Sequence, residues 1–328
     1  MNNGRLGICV NPMSGRDVRR LAARASNMTH EAKRDIVARI AAGADAVGVS
    51  DIYITREPFR IASLALEHMR LNATVHVLEH KIANNAGDTE RAIDVFREAG
   101  CQTIVSLGGD GTNRAIVRAT SDLDLVPIST GTNNVFPILV EPTTVGMAAG
   151  LNALGLITDR SLGKRVKVIH VKRSDGLRDV GLIDAVLIEN DHVGNLLPYD
   201  PKRLRRILLT RAEATAVGMS PIGGFLEEID ADMDEGMLIE LGPGRKLTVP
   251  LSRGHFRDIE VASFHRIPFD VTTVFHGPGV LALDGDRDHE LTKNMSASVT
   301  IKRDGPWVLD VAQVMQWAVS QGIIGGKI

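Results

Sequence analysis

Short apolar runs alternate with longer helical patterns over roughly the first 140 residues, and this alternation constrains the fold more than any other feature of the chain. Such a pattern indicates a parallel sheet with helices on its faces. The predicted strands are Leu6–Val10, Asp51–Thr55, Thr74–Leu78, Thr103–Leu107 and Leu125–Ile128. The predicted helices cover 16–46 (broken near Ser26, with a second part that begins at a cap on Thr29), 58–71 and 88–99.

After Pro142 the pattern changes. A helix is predicted over 143–156, and short alternating strands with tight turns follow, which favours an antiparallel, sandwich-like second domain. These strands include 166–171, 182–188, 247–251, 280–283 and 299–302, and a helix over 201–217 is predicted to interrupt them. We therefore expect an α/β nucleotide-binding domain over residues 1–140 and a β-rich substrate and oligomerisation domain over 141–303. Residues 304–328, with a helix over 311–320, are expected to pack back on the first domain.

Composition narrows the class of protein. The net charge of -2 argues against a nucleic-acid binder, whose basic face tilts the total positive. The sequence shows neither a secretory signal nor an apolar run long enough for a membrane span, so we expect a cytoplasmic protein. Cys9 and Cys101 stand in or beside apolar runs and are predicted to be buried thiols rather than a disulfide. We also expect a homo-oligomer, either a dimer or a tetramer.

The turn Gly108-Gly109-Asp110-Gly111-Thr112 is the strongest chemical signal. It directly follows a predicted buried strand, and ligands of open α/β sheets bind at the carboxyl ends of strands. Glycines let the backbone approach a ligand closely, and N–H groups at the start of a helix bind anions. An aspartate in such a turn suits Mg²⁺ binding or proton acceptance from an attacking hydroxyl, so Asp110 is predicted as a catalytic and metal-binding residue. The alternative is a simple tight turn, since Asp-Gly is a common turn pair.

Two further polar turns follow predicted strands, at Asn11-Pro12-Met13-Ser14-Gly15 and at Ser129-Thr130-Gly131-Thr132-Asn133-Asn134. Each alone is typical of an ordinary loop. Three such turns at the ends of separate parallel strands predict one phosphate site. The residues predicted to contact the nucleotide are Asn11, Ser14, Gly15, Gly108, Gly109, Gly111, Thr112, Asn113, Thr130, Gly131, Thr132, Asn133 and Asn134. Arg16 and Arg114 flank two of the turns and are predicted either to neutralise phosphate charge or to lie at the surface.

Two common phosphate motifs are absent. The chain has no Gly-x-x-x-x-Gly-Lys-Ser/Thr loop, and the glycines after Leu107 do not match Gly-x-Gly-x-x-Gly. A dehydrogenase of the usual kind is therefore disfavoured.

The three turns together resemble the superfamily of NAD kinases, diacylglycerol and sphingosine kinases and phosphofructokinases. Within it, the chain is most similar to ATP-NAD kinase-like proteins of the acetoin-catabolism protein X type. The resemblance implies a cleft between an α/β domain and a β-rich domain, and transfer of the γ-phosphoryl of ATP to a hydroxyl with the help of Mg²⁺. Asp284-Gly285-Asp286 resembles the Asp-Gly-acidic turn of the lipid kinases, which implies a catalytic role for Asp284. A calcium loop and a solvated acidic hairpin are the alternatives.

The acceptor is less determined. Lipid kinases carry Asp after the Asn of the third turn, where this chain has Val135, and NAD kinases carry an Asn-Glu pair where it reads Leu182-Ile183-Asp184-Ala185-Val186. Our leading interpretation is a kinase that phosphorylates a small hydroxyl acceptor, with the 2′-hydroxyl of NAD(H) as the best candidate and a link to acetoin catabolism. The alternatives are a lipid kinase and a nucleotide-binding regulator without turnover, and the donor could differ from ATP.

Overall fold

The computed structural model describes residues 4–16 and 27–324, over which the chain forms seventeen strands and seven helices. The strands are, in chain order, β1 (Arg5–Val10), β2 (Asp51–Thr55), β3 (Thr74–Leu78), β4 (Thr103–Gly108), β5 (Asp124–Ser129), β6 (Gly163–Arg165), β7 (Val168–Arg173), β8 (Arg178–Gly181), β9 (Asp184–Ile188), β10 (Leu204–Leu209), β11 (Glu235–Ser252), β12 (His255–Pro268), β13 (Thr272–His276), β14 (Gly279–Leu283), β15 (Asp286–Leu291), β16 (Ser296–Lys302) and β17 (Trp307–Leu309). The helices are α1 (His30–Ala46), α2 (Ile61–Leu66), α3 (Gly87–Glu98), α4 (Asp110–Ala119), α5 (Pro142–Ala153), α6 (Ser220–Gly224) and α7 (Val311–Ser320).

Seven strands form the first sheet, in the order β3-β2-β1-β4-β5-β17-β6. The first six are parallel to their neighbours, and β6 is antiparallel to β17. The central strands β4 and β5 are buried along their whole length, as expected for apolar strands covered on both faces. The α/β half predicted from the alternating pattern is confirmed, and β1, β4 and β5 lie side by side.

The second half contains two antiparallel sheets, of six strands (β12-β11-β10-β9-β14-β15) and four strands (β13-β16-β7-β8). Apolar side chains from both sheets, among them Leu208, Leu281, Phe275 and Val299, form one buried cluster. The two sheets therefore face each other, which confirms the predicted sandwich-like architecture.

The helices confirm most predictions. The Thr29 side chain accepts a hydrogen bond from Ala32 N at 3.1 Å and caps α1 as expected, although most of the predicted segment before it lies outside the described residues. Helix α2 is shorter than the predicted 58–71. Cys9 and Cys101 are buried free thiols, and burial raises the pKa of each to about 12. No helix in the described part of the chain is long and apolar enough to cross a membrane.

The predicted helix over 201–217 is wrong. Residues 201–203 form a single 3-10 turn, and strand β10 follows directly. The register between β9 and β10 shifts between Leu204 and Arg206, so Leu204 and Ile207 pack in one cluster. Leu208 is buried in a second cluster on the other face of the strand, and the three positions together imitate the spacing of a helix. The basic residues of this segment form strand-surface ion pairs, Arg205 with Glu189 and Arg206 with Glu240.

The chain after residue 140 does not leave the first sheet at once. Helix α5 packs on α1, α7 packs on α5, and β6 and β17 extend the first sheet. Two connections then run side by side to the second half, because β6 continues into β7 and β16 continues into β17. They are joined to each other by the hydrogen bonds Val166 N to Pro306 O (3.0 Å) and Gly305 N to Val166 O (3.1 Å).

Candidate active site

The three polar turns meet at one edge of the first sheet. Asn11 Nδ2 donates to Thr112 Oγ1 at 2.8 Å and so joins the first turn to the second. The hydroxyls of Ser14 and Thr130 lie 2.7 Å apart and join the first turn to the third. The predicted juxtaposition of the three turns is therefore present in the structure, and it arises because β1, β4 and β5 are neighbours.

A cavity of about 630 Å³ opens at this edge, between the turns and the second half of the chain. Most of the predicted site residues line it, namely Asn11, Ser14, Gly15, Gly109, Asp110, Gly111, Thr112, Gly131, Thr132, Asn133, Asn134 and Asp284. Its volume is in the range typical of small-molecule sites. Helix α4 begins at Asp110 with Gly109 as its N-cap, so the start of this helix faces the cavity. The first N–H groups of a helix have no partner within it and attract anions.

Three predicted contact residues lie behind the cavity wall instead. Asn113 is fully buried: its Oδ1 accepts from Ser106 Oγ at 2.7 Å and its Nδ2 donates to Gly109 O at 2.9 Å. Thr130 is buried against Ser14. Gly108 is covered by Thr112, whose side-chain atoms would lie 2.4 to 2.5 Å from a Cβ at this position. We therefore reassign Asn113, Thr130 and Gly108 as residues that shape the turns rather than contact a ligand.

The third turn is closed by Asn134. In the orientation that satisfies both of its amide atoms, the side-chain oxygen accepts from Ser129 Oγ at 2.7 Å and from Gly131 N at 3.0 Å. A Cβ on Gly131 would lie 2.4 Å from this side-chain amide, so only glycine permits the close approach. Asn134 thereby fixes the course of the turn as well as lining the cavity.

The first turn is held by a residue that sequence reasoning missed. Lys33 on α1 is fully buried, and its ammonium group donates to Asn11 O at 2.8 Å and to Pro12 O at 2.7 Å. A buried cation that donates to two carbonyl groups fixes the backbone of this turn. The one local signal is the position of Lys33 one turn after the cap of α1 and on the same face as the buried Val37.

Asp110 is largely buried, and it forms part of the cavity wall. Its carboxylate accepts backbone hydrogen bonds from Val135 N at 3.1 Å and Phe136 N at 2.9 Å. Burial, followed by the negative charge of Asp284, raises the pKa of Asp110 to about 7, although the two N–H donors act in the opposite direction. The group is thus poised to exchange a proton near neutral pH.

Asp284 stands at the turn between β14 and β15, with a positive φ of 50°. Its carboxylate accepts from the N–H groups of Leu182, Ile183 and Asp184 at 2.7 to 3.2 Å. Burial raises its pKa, while the Arg114 charge and the three N–H donors lower it. A left-handed backbone at a non-glycine residue, held by three hydrogen bonds, is typical of a functional position.

Asp184 is a third carboxylate that the sequence reasoning passed over. It is buried at the start of β9 and lines the cavity, and its Oδ1 has no hydrogen-bond partner among the described residues. Burial raises its pKa well above the usual range, and the charges of Asp284 and Asp110 raise it further. The available signal was a single acidic residue within the apolar run 182–188.

Arg114 does not face the cavity. Its buried guanidinium donates to Leu283 O at 2.9 Å, to Asp286 at 3.1 Å and to Asp288 at 2.9 Å. It therefore fastens α4, which carries Asp110, to the hairpin that carries Asp284. The acidic hairpin is accordingly only partly solvated, and two of its acidic side chains, those of Asp286 and Asp288, bind an arginine.

Comparison with known proteins gives a consistent result for the two halves of the chain. Residues 6–153 match the family model of the ATP-NAD kinase N-terminal domain, and residues 167–304 match that of the acetoin catabolism protein X C-terminal domain. The chain is 30% identical over 329 aligned residues to acetoin catabolism protein X of Cupriavidus necator, covering 95% of this chain and 92% of the relative. A crystal structure from Bacillus anthracis str. Sterne, assigned as a diacylglycerol kinase, aligns with a TM-score of 0.44 at 12% identity, over 93% of this chain and 97% of that one.

Proposed function

The chain belongs to the acetoin catabolism protein X family, and from that premise we propose that it is an ATP-dependent kinase with a small hydroxyl-bearing acceptor. The observation that carries this proposal is the meeting of three polar, glycine-containing turns and the start of α4 at a cavity that also exposes Asp110, Asp184 and Asp284. The match of residues 6–153 to an ATP-NAD kinase domain supports the same reaction class.

The residues present fit a nucleoside triphosphate. Gly109, Gly111 and Gly131 keep side chains out of the space over the turns, and the start of α4 offers N–H groups to phosphate oxygens. Thr112 and Ser14 already form hydrogen bonds to neighbouring turns, so the three turns are held together before a nucleotide binds.

The residues also fit a Mg²⁺ ion that enters with the nucleotide. No group of three or more His, Cys, Asp or Glu side chains with ligand geometry occurs in the described ranges. Mg²⁺ commonly uses only one or two carboxylates together with substrate phosphates, and the unpartnered Oδ1 of Asp184, which lines the same cavity as Asp110, is suited to such a role. The ion would supply neutralisation of charge on the phosphates.

Asp110 is suited to accept the proton of the attacking hydroxyl, because its pKa lies near the operating pH. In the proposed step the acceptor oxygen forms a bond to the γ-phosphorus, the bond to the β-phosphate oxygen breaks, and the acceptor proton passes to the Asp110 carboxylate. Asp284, held by three N–H groups, positions the acceptor beside Asp184. Most of the rate enhancement in such transfers comes from placement and charge stabilisation.

For the acceptor we propose the 2′-hydroxyl of NAD(H), with acetoin catabolism as the metabolic setting suggested by the name of the Cupriavidus relative. The stretch 182–186 lacks the Asn-Glu pair of the NAD kinases, and Asp184 is its one acidic residue. A ribose hydroxyl that donates to a buried carboxylate is compatible with this substitution.

The experiment is an acceptor panel with ATP and Mg²⁺, in which ADP release and the phosphorylated product are measured for NAD, NADH, acetoin, diacylglycerol and sphingoid bases. The Asp110→Asn chain, purified in parallel, excludes a contaminating kinase, and Asp122→Asn on an exposed turn is the matched control. ADP release that requires an acceptor and Asp110 supports the proposal. ATP binding without turnover on any acceptor would instead identify a nucleotide-binding regulator.

A further inference from the structure

The hairpin of β11 and β12 reaches from the second half of the chain to the phosphate turns. Near its end, Ser252 Oγ accepts from Asn133 Nδ2 of the third turn at 3.4 Å. The neighbouring Pro250 O accepts from Gly218 N at 3.0 Å. Leu251, Ser252 and His255 all line the cavity. The end of this hairpin is therefore a wall of the proposed nucleotide site.

Arg257 projects from this wall into the cavity. It lies two residues before Ile259 and four before Val261, both of which are buried in the core of the second half. Because alternate residues of a strand share a face, Arg257 is on the inward face of β12, at the point where that face passes from the core to the cavity. The strand itself thus directs the guanidinium towards the site.

The guanidinium of Arg257 is largely uncommitted. Its Nη1 donates to the carbonyl oxygen of Phe256 at 3.0 Å, and no carboxylate of the described residues lies within ion-pair distance of it. A guanidinium carries five donors in a planar fork, so most of its hydrogen-bonding capacity is open to a ligand.

The charge balance of the cavity gives this arginine its importance. Six carboxylates line the wall. Asp88 and Asp286 pair with Arg91 and Arg114, which leaves Glu57, Asp110, Asp184 and Asp284, and the described wall contains two arginines and no lysine. The second arginine, Arg287, is ion-paired with Asp191 at 2.8 Å and donates to the carbonyl oxygens of Asn195 and Leu197. A polyphosphate that enters so acidic a cavity needs positive charge, and Arg257 is the protein cation positioned to supply it.

We infer that Arg257 binds the polyphosphate of the nucleotide, so that the second half of the chain contributes a phosphate-binding residue to the turns of the first half. The inference rests on the proposed function and adds the residue that completes its anion site. A guanidinium recognises phosphate oxygens in pairs, which would hold the polyphosphate between the hairpin and the third turn.

The test measures the Kd of the full chain for ATP, inorganic triphosphate and adenosine by isothermal titration calorimetry. Arg257→Gln is expected to weaken ATP and triphosphate binding at least about tenfold, the effect of losing a charge-assisted hydrogen bond. Adenosine binding is expected to stay within about twofold, since adenosine carries no phosphate. Arg257→Lys is expected to recover part of the affinity. Arg253→Gln is the matched control, because Arg253 lies in the same hairpin but does not line the cavity.

The outcomes separate the two claims. If the wild-type chain binds ATP and Arg257→Gln binds it equally well, the inference is wrong and the proposed function stands. If Arg257→Gln loses affinity for adenosine as much as for ATP, the residue shapes the site instead of binding phosphate, and the inference is again wrong. If the wild-type chain binds neither ATP nor triphosphate, both the proposed function and the inference fail.

Discussion

The two halves of the chain contribute to the cavity by different means. The first half supplies the Asp110 carboxylate and main-chain groups, in turns that follow adjacent parallel strands and are held by Lys33, Thr112 and Asn134. The second half supplies side chains, those of Asp184, Asp284 and Arg257, from two strands and a hairpin turn that are distant in sequence. Each turn of the first half is encoded in a short contiguous segment, whereas the side chains of the second half reach the cavity only through pairings between segments that are distant in sequence.

Among the experiments that test this difference between the halves, removal of divalent cations is expected to have the largest effect. A chelator is expected to reduce ADP release to background, because the triphosphate would then face the carboxylates of Asp110, Asp184 and Asp284 without the charge of Mg²⁺. The melting temperature of the ligand-free chain is expected to stay unchanged, since the described residues include no three-ligand metal group. ADP-release assays and thermal melts with and without chelator measure the two effects. A lower melting temperature would point to a structural metal and contradict this view.

Asp284→Asn tests the contribution of the second half directly. Loss of a group that positions the acceptor is expected to lower kcat/KM by about 10²- to 10⁴-fold while the Kd for ATP stays within about threefold. Steady-state kinetics and ATP titration measure the two quantities. Asp288→Asn is the control. Asp288 lies in the same hairpin as Asp284 and pairs with Arg114, but it does not line the cavity. Equal losses of ATP affinity and of turnover in Asp284→Asn would remove the proposed division of labour.

The pKa of Asp110, raised to about 7 by burial and by the charge of Asp284, gives a prediction for the first half. If Asp110 accepts the proton, kcat is expected to rise about tenfold per pH unit below about pH 7 and then level off. The ascending limb is expected to vanish in Asp110→Asn. A pH–rate profile that keeps this limb in the variant would assign the base to another group.

The same shift affects stability with a definite sign. Folded Asp110 holds its proton to a higher pH than the unfolded residue, whose ordinary pKa is 3.8, so its contribution is present at low pH and is lost as the pH rises from about 4 to about 7. Urea unfolding at several pH values is expected to show a flatter profile for Asp110→Asn than for wild type. A steeper profile in the variant would contradict the raised pKa.

Arg114→Gln probes the link between the halves and is expected to have the smallest effect. The loss of three buried guanidinium contacts is expected to lower the free energy of unfolding by about 1–3 kcal/mol, since Asp286 and Asp288 remain partly hydrated. Urea denaturation measures this change. Arg118→Gln on the next turn of α4, whose guanidinium is more exposed, is the control and is expected to cost less. An unchanged unfolding free energy in Arg114→Gln would show that the contact stabilises nothing.

Sequence reasoning succeeded where the determinants are local. Continuous apolar runs that end in glycine predicted β4 and the turn after it, and the neighbouring turns followed from the geometry of parallel strands. It failed over 201–217, where a register shift beside Leu204 gives a strand the apolar spacing of a helix. It also misjudged Asn113, whose polarity suggested a ligand contact but whose amide is satisfied by Ser106 and Gly109.

Asp184 shows why the cavity residues of the second half could not be predicted in the same way. One aspartate in an apolar strand carries no local pattern, and its significance comes from Asp284, one hundred residues further along the chain. Arg257 is similar, because it becomes part of the site only when the long hairpin places it beside the third turn. Residues whose roles depend on such distant pairings leave little trace in a single sequence.

The paired connections near Val166 and Gly305 have a mechanical consequence. A single linker would allow the two halves to rotate about it, whereas two crossings joined by hydrogen bonds resist such rotation. The Arg114 contacts join the two halves beside the cavity as well, so both constraints keep α4 and the Asp284 hairpin in a fixed relation.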